Sequence, residues 1–539
     1  MRFSRLQRYL LSVLGGILMV LSFPHTGSIF PLAFIAMVPI LLVEHNIYRE
    51  KYRSGKVFLH AFITFLIFNA GASYWIYYSI GGEMAAIFAY LLIGFLLALV
   101  FLLFHWTKKY VGQKEGYIGL IFYWIGYEHL QFHWELSWPW LSLGNTFAIA
   151  PEIVQWYSYT GILGGTLWIL ISNLLVFKIF NNILFKNESF KIQTPLLYLS
   201  FALILIPSAL SYWSYATYTE KERPIEIVVT QPNIDPYNDK FSTDIEDLKE
   251  HLDKFVASAE ALITENTAIV LAPETAISMS FNEDFYENRP SFMYVQSRVK
   301  NWCGTSLLTG ASTYKVFDDS TRTSVKQIYN SDKFYESYNS STLITEHNPP
   351  QFVHKSKLVV GVEKIPFTKW FPSLEKLSIE NGGTSGSLGI EDEPKVLKSN
   401  GFTYAPVICY ESVYGEFVAE QCRKGAEAIF VLTNDGWWEN TAGHKQHASI
   451  ARLRAVETRR YVARSANTGI SSVINQRGEI VKKTEYWVHD AFKETIQLNS
   501  EPTFFITYGD VIGRSFTFVF ILLGIFTFVK YFQKFSKSI

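Results

Sequence analysis

Three residues of types that occur in nucleophilic catalysis stand where apolar runs end: Glu274 in APETA, Lys355 in VHKSKLV and Cys409 in VICYE. A cysteine thiol is mostly protonated at neutral pH, so a nucleophilic cysteine needs a base or a nearby cation. Glu274 could accept the thiol proton, and Lys355 could stabilise an oxyanion together with the backbone N–H of Tyr410. These residue types predict nucleophilic catalysis by Cys409.

Each of these residues also has a purely structural interpretation. A glutamate after proline is usually a solvated turn residue, and a lysine in a strand usually lies on a solvated edge. The chain has three cysteines, at 303, 409 and 422, so at least one of them is unpaired. A buried free thiol at Cys409, or a Cys409–Cys422 disulfide, therefore remains open at this level.

Long apolar runs dominate the first 213 residues of this 539-residue chain and return near its end. A bilayer core of about 30 Å needs about 20 apolar helical residues, and most of the runs approach that length. The weakest are 29–44, which is short, and 116–132, which contains Glu128 and His129. We predict a polytopic α-helical membrane domain of about eight spans, seven within 1–213 and one within 514–539. The eight runs are 7–24, 29–44, 57–79, 84–105, 116–132, 161–182, 195–213 and 514–530.

Lysine and arginine are unevenly distributed over the loops between these spans. The short loops near 25–28, 80–83 and 133–160 contain neither residue, whereas the alternate set of loops and both termini are basic. Positively charged short loops stay on the cytoplasmic side of the membrane. We therefore expect both termini to be cytoplasmic and residues 214–513 to lie on the opposite side. The basic clusters lie at 2–8, 49–56, 108–114, 178–191 and 530–537.

Residues 214–513 have an ordinary soluble composition in which strand-like and helix-like segments alternate. Such alternation predicts an α/β domain with layered sheets. We predict one long amphipathic helix over 443–466 and a mobile flap at 380–394. Predicted strands cover 223–234, 268–278, 305–314, 338–345, 351–359 and 402–411, and predicted shorter helices lie near 243–264 and 285–302.

With glutamate, lysine and cysteine in this order at strand ends, residues 224–500 resemble the carbon–nitrogen hydrolases of the nitrilase superfamily. The resemblance implies a Glu274–Lys355–Cys409 triad in an αββα sandwich. The segment KSKLVVGVEKIPF (355–367) resembles that family's lysine segment, and its eight-residue step to Glu363 favours Lys355 over Lys357 and Lys364. Two departures from the family pattern are Ala272 in place of a tryptophan and VGVE in place of P-F-G-E.

The combination with membrane spans is similar to one branch of that superfamily, the apolipoprotein N-acyltransferase family. TNDGWW (433–438), the segment 444–469 and SWPWLSLGN (137–145) resemble its motifs. Glu363, Tyr410 and Glu411 are then candidate supporting or oxyanion residues, although Glu411 could instead satisfy backbone groups. Aromatic rings favour membrane interfaces, so four tryptophans are candidates for substrate binding, with simple anchoring as the alternative. They are Trp138, Trp140, Trp437 and Trp438.

This resemblance implies ping-pong acyl transfer from a phospholipid, with phosphatidylethanolamine as the expected donor, to a diacylglyceryl-apolipoprotein. It also implies a monomer in the bacterial cytoplasmic (inner) membrane that needs no metal and no organic cofactor. The formal net charge of zero gives no indication of a nucleic-acid partner. Two alternatives stay open: a membrane-bound amidase, and a transporter or receptor with intramembrane ionisable groups. The candidates for such groups are His60, His105, Glu128 and His129.

Overall fold

The computed structural model describes residues 2–79, 82–240, 242, 244–321, 324–368, 370–371, 373 and 387–536. It contains two compact units. The first comprises Met1–Tyr77, Gly82–Thr217 and Asp510–Ile539, and the second comprises Tyr78–Gly81 and Tyr218–Gly509. Within the flap predicted at 380–394, residues 380–386 lie outside the described part of the chain, as do residues 537–539 of the predicted tail.

The first unit contains an α-helix at each of the eight predicted positions, although the second of them, Val38–Arg49, has only 12 residues. Six helical segments of the described chain are long and apolar enough to cross a membrane. The other two helices, α1 and α5, are more polar: α1 begins with Arg5 and Arg8, and α5 contains Lys114, Glu115 and Glu128. The helices are α1 (Arg5–Ser22), α2 (Val38–Arg49), α3 (Gly55–Ala72), α4 (Gly82–Tyr110), α5 (Gln113–Leu130), α6 (Tyr157–Lys186), α7 (Thr194–Thr217) and α13 (Val511–Ser536).

Glu128, one of the candidates for a transport pathway, instead holds the loop that follows its own helix. Its carboxylate accepts hydrogen bonds from the indole of Trp124 at 2.9 Å, the backbone N–H of Leu143 at 2.9 Å and the hydroxyl of Thr166 at 2.6 Å. A buried carboxylate is tolerated when several donors satisfy it. Glu128 therefore fixes the conformation of the 137–145 loop.

The second unit is built on two sheets. The larger has eight strands, six in the order β14-β1-β2-β4-β6-β5, with β3 beside β4 and β7 beside β6. The smaller has the order β13-β12-β11-β10-β9-β8. The strands are β1 (Pro224–Gln231), β2 (Thr267–Leu271), β3 (Ile277–Asn282), β4 (Ser306–Phe317), β5 (Lys326–Gln327), β6 (Phe334–Ile344), β7 (Gln351–His354), β8 (Leu397–Ser399), β9 (Phe402–Ile408), β10 (Ala428–Thr433), β11 (Val462–Ala466), β12 (Ser472–Ile474), β13 (Ile480–Lys483) and β14 (Asp490–Gln497).

Helices cover the outer face of each sheet, which gives the predicted αββα layering. Between the sheets, a core cluster joins Val229 and Leu271 of the larger sheet to Tyr404 and Phe430 of the smaller one. The helices are α8 (Ile245–Glu260) and α9 (Pro290–Val299) on the larger sheet, with α10 (Gly415–Arg423), α11 (Ala442–Thr458) and the short α12 (Phe504–Tyr508) on the other side.

Local sequence explains how α8 forms and packs. The side chain of Asp244 caps the helix by accepting the N–H of Glu246 at 2.8 Å, an arrangement that satisfies an otherwise unpaired helix donor. Leu248, Leu252 and Phe255 then recur at helical spacing on the buried face. The helix lies within the stretch 243–264 that was predicted to be helical.

The prediction of one long amphipathic helix over 443–466 was wrong. Helix α11 ends at Thr458, and Arg459 adopts a left-handed conformation with φ of 53°. Residues Val462–Ala466 then form β11, which pairs in parallel with the central strand β10. Pairing inside a sheet overrides local helix preference here, because the sheet offers partners that the isolated segment lacks. The helix itself is buried on almost every side.

Candidate active site

Glu274 lies in a tight turn between β2 and β3. The neighbouring strand β4 passes so close that a Cβ atom on Gly310 would lie 2.5 Å from the Cα atom of Glu274. Only glycine permits this approach. The N–H of Gly310 donates to the carbonyl of Pro273 at 3.0 Å, which holds the turn against the sheet. The turn therefore holds Glu274 in a fixed position, and the Glu274 side chain is buried.

Lys355 follows directly after β7, and its backbone N–H donates to the carbonyl of Asn339 on β6 at 2.8 Å. Its ammonium group donates to Glu274 Oε1 at 3.1 Å and to Glu363 Oε1 at 2.8 Å. The Glu363 carboxylate also accepts the N–H of Val359 at 2.8 Å. The buried ammonium is thus held between two carboxylates, and the structure brings these three predicted residues together.

Cys409 follows the last residue of β9 and adopts φ of 49°, in the left-handed region that residues with a side chain rarely occupy. This conformation costs about 1–2 kcal/mol, so the surrounding contacts must hold it. All three cysteines are free, which rules out the Cys409–Cys422 disulfide. Burial raises the pKa of the Cys409 thiol, the Glu274 carboxylate raises it further, and the Lys355 ammonium opposes both.

The two charged neighbours of the thiol, Glu274 and Lys355, have opposite charges. Burial by itself would raise the pKa of Glu274, but the ammonium groups of Lys355 and Lys240 lower it below its ordinary value. Burial would lower the pKa of Lys355, but Glu274, Glu363 and Cys409 raise it well above its ordinary value. At neutral pH the site therefore holds a carboxylate and an ammonium beside a protonated thiol, the protonation states that a proton transfer from thiol to carboxylate requires.

Glu411 joins two parts of the site through backbone hydrogen bonds. Its carboxylate accepts the N–H groups of Ser356 at 2.6 Å and Lys357 at 3.3 Å, and also that of Ile408 at 2.7 Å. Burial raises the pKa of Glu411 to about 7. Glu411 therefore satisfies three backbone groups, and these hydrogen bonds join the residue after Lys355 to the residue before Cys409, while its supporting role in catalysis stays a prediction.

The sequence reasoning missed three residues that contact the Glu274 turn. Asn339 donates its side-chain N–H to Glu274 Oε1 at 2.7 Å, and the backbone N–H of Asn434 donates to Glu274 Oε2 at 3.1 Å. Lys240 is buried and donates to the backbone carbonyl of Glu274 at 2.8 Å. Asn434 lies in the quoted TNDGWW motif, but Asn339 and Lys240 stand in segments with no distinguishing pattern.

Lys240 brings a second buried ammonium to the site. With the Asn434 amide oriented to satisfy its neighbours, its oxygen lies 3.1 Å from Lys240 Nζ and 3.3 Å from the indole nitrogen of Trp437. Burial lowers the pKa of Lys240 to about 8, although Glu274 and Cys409 act in the opposite direction. Lys240 is therefore charged at neutral pH and close to its titration point.

A second polar network reaches Cys409 from α11. His447 Nδ1 lies 2.8 Å from Asp435 Oδ1, and His447 Nε2 lies 3.1 Å from the backbone oxygen of Cys409. The Cys409 thiol, Asp435 and His447 offer donor atoms within 4.8 Å of one another, a set of types that can bind metals. However, Arg464 forms an ion pair with Asp435, and this fixed positive charge disfavours a cation there.

The four candidate tryptophans divide between the two units. In the second unit, the half-buried Trp437 packs edge-on against Tyr237 with ring centroids 5.7 Å apart, and Trp438 packs against His447 at 5.8 Å. In the first unit, Trp138 and the buried Trp140 stack at 5.9 Å beside Trp75. Their involvement in substrate binding stays a prediction.

Two family models match the chain. The apolipoprotein N-acyltransferase N-terminal domain matches residues 15–175, and the carbon-nitrogen hydrolase model matches residues 229–501. Among solved structures, a CN-hydrolase superfamily protein from Xanthomonas campestris is 14% identical and covers 51% of this chain and 91% of its own, with a TM-score of 0.35.

Curated relatives match nearly the whole sequence. The apolipoprotein N-acyltransferase of Chlorobaculum tepidum is 30% identical over 518 residues, which cover 94% of this chain and 93% of the relative. That of Geobacter metallireducens is 26% identical over 521 residues, covering 93% and 92%. This chain therefore belongs to the apolipoprotein N-acyltransferase family, a membrane-helix-containing acyltransferase branch of the carbon-nitrogen hydrolase superfamily.

Proposed function

We propose that this chain transfers an acyl chain from a phospholipid to the α-amino group of the S-diacylglyceryl-cysteine that begins an apolipoprotein. The observation that carries the proposal is the Lys355 ammonium held between Glu274 and Glu363, close enough to Cys409 for its charge to affect the pKa of the thiol. The family membership supplies the acyl-transfer chemistry, and this arrangement supplies a base, a cation and a nucleophile for it.

In the first half-reaction, the Cys409 sulfur attacks an ester carbonyl of the phospholipid while Glu274 takes the thiol proton. Negative charge then develops on the carbonyl oxygen, where the Lys355 ammonium and the backbone N–H of Tyr410 stabilise it. The carbon–oxygen bond breaks, and the leaving glycerol oxygen recovers the proton from Glu274. The products are a lysophospholipid and a thioester on Cys409.

In the second half-reaction, the α-amine of the diacylglyceryl-cysteine attacks the thioester. Glu274 accepts the amine proton, the carbon–sulfur bond breaks, and the sulfur leaves as a thiolate that recovers the proton from Glu274. The product is an amide, and the enzyme returns to its starting state. Over the two half-reactions an ester bond is broken and an amide bond is formed, without any change in oxidation state.

Both substrates carry acyl chains, so the reaction belongs at a membrane surface. We place residues 214–513 on the extracytoplasmic side of the cytoplasmic (inner) membrane, with the helices of 1–213 and 514–539 spanning it and both termini in the cytoplasm. Phosphatidylethanolamine is the proposed donor and a monomer the proposed state. Trp437, Trp438 and Trp138, which are partly exposed, are the residues proposed to contact acyl chains, whereas Trp140 is buried and stacks on Trp138.

The proposal is tested with full-length protein in detergent and a phospholipid with a labelled acyl chain. Incubation with the donor alone should add one acyl group to the peptide that contains Cys409, detected by mass spectrometry and removed by hydroxylamine. Addition of a diacylglyceryl lipopeptide should then release the label as an amide. Cys409→Ser should abolish the transfer, and robust transfer by that variant would refute the mechanism.

The proposed orientation has its own test, which uses the one exposed cysteine among the three. In a Cys409→Ser background, a membrane-impermeant maleimide added to spheroplasts should label Cys303. Cys303→Ser serves as the matched control and should remain unlabelled. Labelling of Cys303 only after the membrane is permeabilised would place the second unit on the cytoplasmic side and contradict the proposed topology.

A further inference from the structure

The carbonyl group of Cys409 is held by two side-chain donors in the buried interior of the second unit. The hydroxyl of Ser412 donates to it at 2.8 Å, and His447 Nε2 lies 3.1 Å from it. A carbonyl oxygen can only accept, so the second contact requires a proton on Nε2. Ser412 and His447 are both completely buried, so these contacts are shielded from solvent.

His447 is itself fixed from behind. Burial lowers the pKa of His447, so the ring is neutral at pH 7, and with its proton on Nε2 the other nitrogen, Nδ1, accepts from a guanidinium nitrogen of Arg464 at 3.1 Å. Asp435, whose Oδ1 lies 2.8 Å from Nδ1, acts through that guanidinium. Asp435 also accepts the Thr433 hydroxyl at 2.8 Å and forms an ion pair with Arg464. These groups come from β10, the turn after it, α11 and β11, so four segments of the chain define the position of one imidazole.

Ser412, His447 and Asp435 are ordered like a serine hydrolase triad, since Ser412 Oγ lies 2.8 Å from His447 Nε2. That interpretation fails on position: the hydroxyl is buried and already donates to the Cys409 carbonyl. Ser412 thus has no surface from which to reach a substrate. The network acts on Cys409 instead.

The geometry of the peptide bond decides what the network can do. In a trans peptide, the C=O of Cys409 and the N–H of Tyr410 point in opposite directions. All described peptide bonds are trans. Holding the carbonyl toward His447 and Ser412 therefore directs the Tyr410 N–H to the other side of the peptide plane. It also supports the left-handed conformation of Cys409, whose φ is 49°.

We propose that His447, fixed by Asp435 and Arg464, is a positioning residue that orients the Cys409–Tyr410 peptide so that its N–H forms part of the oxyanion hole. This inference rests on the proposed function, because it assumes that Cys409 is the nucleophile. His447 touches no substrate and acts only through the peptide group. Its loss therefore affects steps that pass through an oxyanion and spares steps that do not.

Two reactions of the same thiol separate this role from a general structural one. Acyl transfer passes through a tetrahedral oxyanion, whereas alkylation of Cys409 by iodoacetamide is a displacement at carbon and forms none. Both are measured on full-length protein in detergent, in a Cys303→Ser background. His447→Leu should lower kcat for acyl transfer about 100-fold, as loss of one oxyanion donor does, while KM and the alkylation rate change less than about threefold.

The matched control is His444→Leu, which removes another buried imidazole from α11, one that stacks on Tyr486 with ring centroids 3.9 Å apart. It should keep acyl transfer within about threefold of the wild type. His447→Gln offers an amide N–H in place of Nε2–H and should recover at least about tenfold of the loss. Wild-type transfer by His447→Leu, or an equal fall in alkylation, would overturn the proposal.

Ser412→Ala removes the second donor to the Cys409 carbonyl with little change in volume. This variant tests the proposal if His447→Leu does not fold. It should lower acyl transfer about tenfold at an unchanged alkylation rate. Unchanged transfer by this variant would also overturn the inference. Failure of the proposed function has a different signature: Cys409→Ser would then retain transfer, whatever the His447 variants do.

Discussion

Each of the two units buries a glutamate–lysine pair, and the pairs differ in what surrounds them. In the first unit, Glu44 on α2 accepts from Lys108 at 2.6 Å and from His105 at 2.6 Å, both on α4. In the second unit, Glu274 accepts from Lys355 at 3.1 Å. All of these side chains are buried, so burial and pairing are common to both sites.

The partners of the lysines differ. Lys108 also donates to the hydroxyl of Tyr117 at 2.8 Å and lies 4.6 Å from the ring centres of Tyr48 and Tyr117, so helix side chains enclose it. Lys355 lies between two carboxylates at a strand end, in electrostatic contact with Cys409. All three cysteines of the chain belong to the second unit. Burial of an ion pair is therefore not enough to identify an active site. In the first unit the pair connects two helices, and in the second unit it lies in the candidate active site.

The largest expected effect is on the rate of acyl-enzyme formation, which should depend on Lys355 and not on Lys108. Lys355→Met should lower the rate of acyl-enzyme formation at least about 1,000-fold, because it removes an oxyanion donor and leaves two carboxylates facing each other. The matched variant Lys108→Met should leave that rate, per folded molecule, within about twofold of the wild type. Single-turnover acylation with labelled phospholipid measures both. Equal losses in the two variants would remove the distinction.

The second prediction concerns the thermal stability of the protein, which should depend on Lys108. Lys108→Met leaves Glu44 without its ammonium partner, and breaking a buried ion pair costs about 3–5 kcal/mol. We expect a clear decrease in the unfolding temperature of the protein in detergent. The double variant Glu44→Gln/Lys108→Met should be less destabilised than the single variant, because no unpaired charge remains. An unchanged unfolding temperature in Lys108→Met would show that this pair does not stabilise the unit.

The smallest effect concerns another buried lysine, Lys240, whose pKa is lowered to about 8. Its charge is present below that pH and is lost as the pH rises through it, and it faces Glu274, Asn434 and Cys409. Lys240→Met should slow acylation about tenfold at pH 7, equivalent to about 1.4 kcal/mol of lost charge stabilisation.

The pH dependence of acylation sharpens this prediction. In the wild type, acylation should slow as the pH rises above about 8, because Lys240 loses its proton. Lys240→Arg keeps its charge and should show no such decrease, and Lys240→Met should lack this transition altogether. Acylation by the phospholipid alone is the measurement, since it avoids titration of the acceptor amine. A wild-type rate in Lys240→Met at pH 7 would contradict the role of this charge.

The sequence predicted the architecture of the chain better than the boundaries of its elements. Apolar runs located the helices of the first unit, and the alternation of strands and helices predicted an α/β domain with layered sheets. The resemblance to the nitrilase superfamily implied the αββα sandwich. The error at 443–466 arose because β11 is a strand only through its pairing with β10. The predicted strand 268–278 is interrupted after Leu271 by the turn that carries Glu274. The predicted strands 351–359 and 402–411 end early, at His354 and Ile408, where the N–H groups of Ser356 and Ile408 donate to the Glu411 carboxylate.

The candidate site shows the same limit. Glu274, Lys355 and Cys409 could be proposed from the sequence because each follows an apolar strand and has a reactive side chain. Lys240 and Asn339 could not, because nothing in their local sequence distinguishes a lysine or asparagine of the site from one in solvent. They lie on distant parts of the chain and reach Glu274 only after the strands have assembled.

By itself, the sequence determined the family, the positions of the helices in the first unit and the order of the chemistry-bearing residues, because these depend on composition and on motifs within short segments. Only the tertiary structure decided which lysine stands between two carboxylates and which one is enclosed by aromatic rings. It also decided the left-handed conformation of Cys409 and the imidazole that holds its carbonyl. Charges, donors and backbone direction act over a few ångströms, and the fold alone sets those distances.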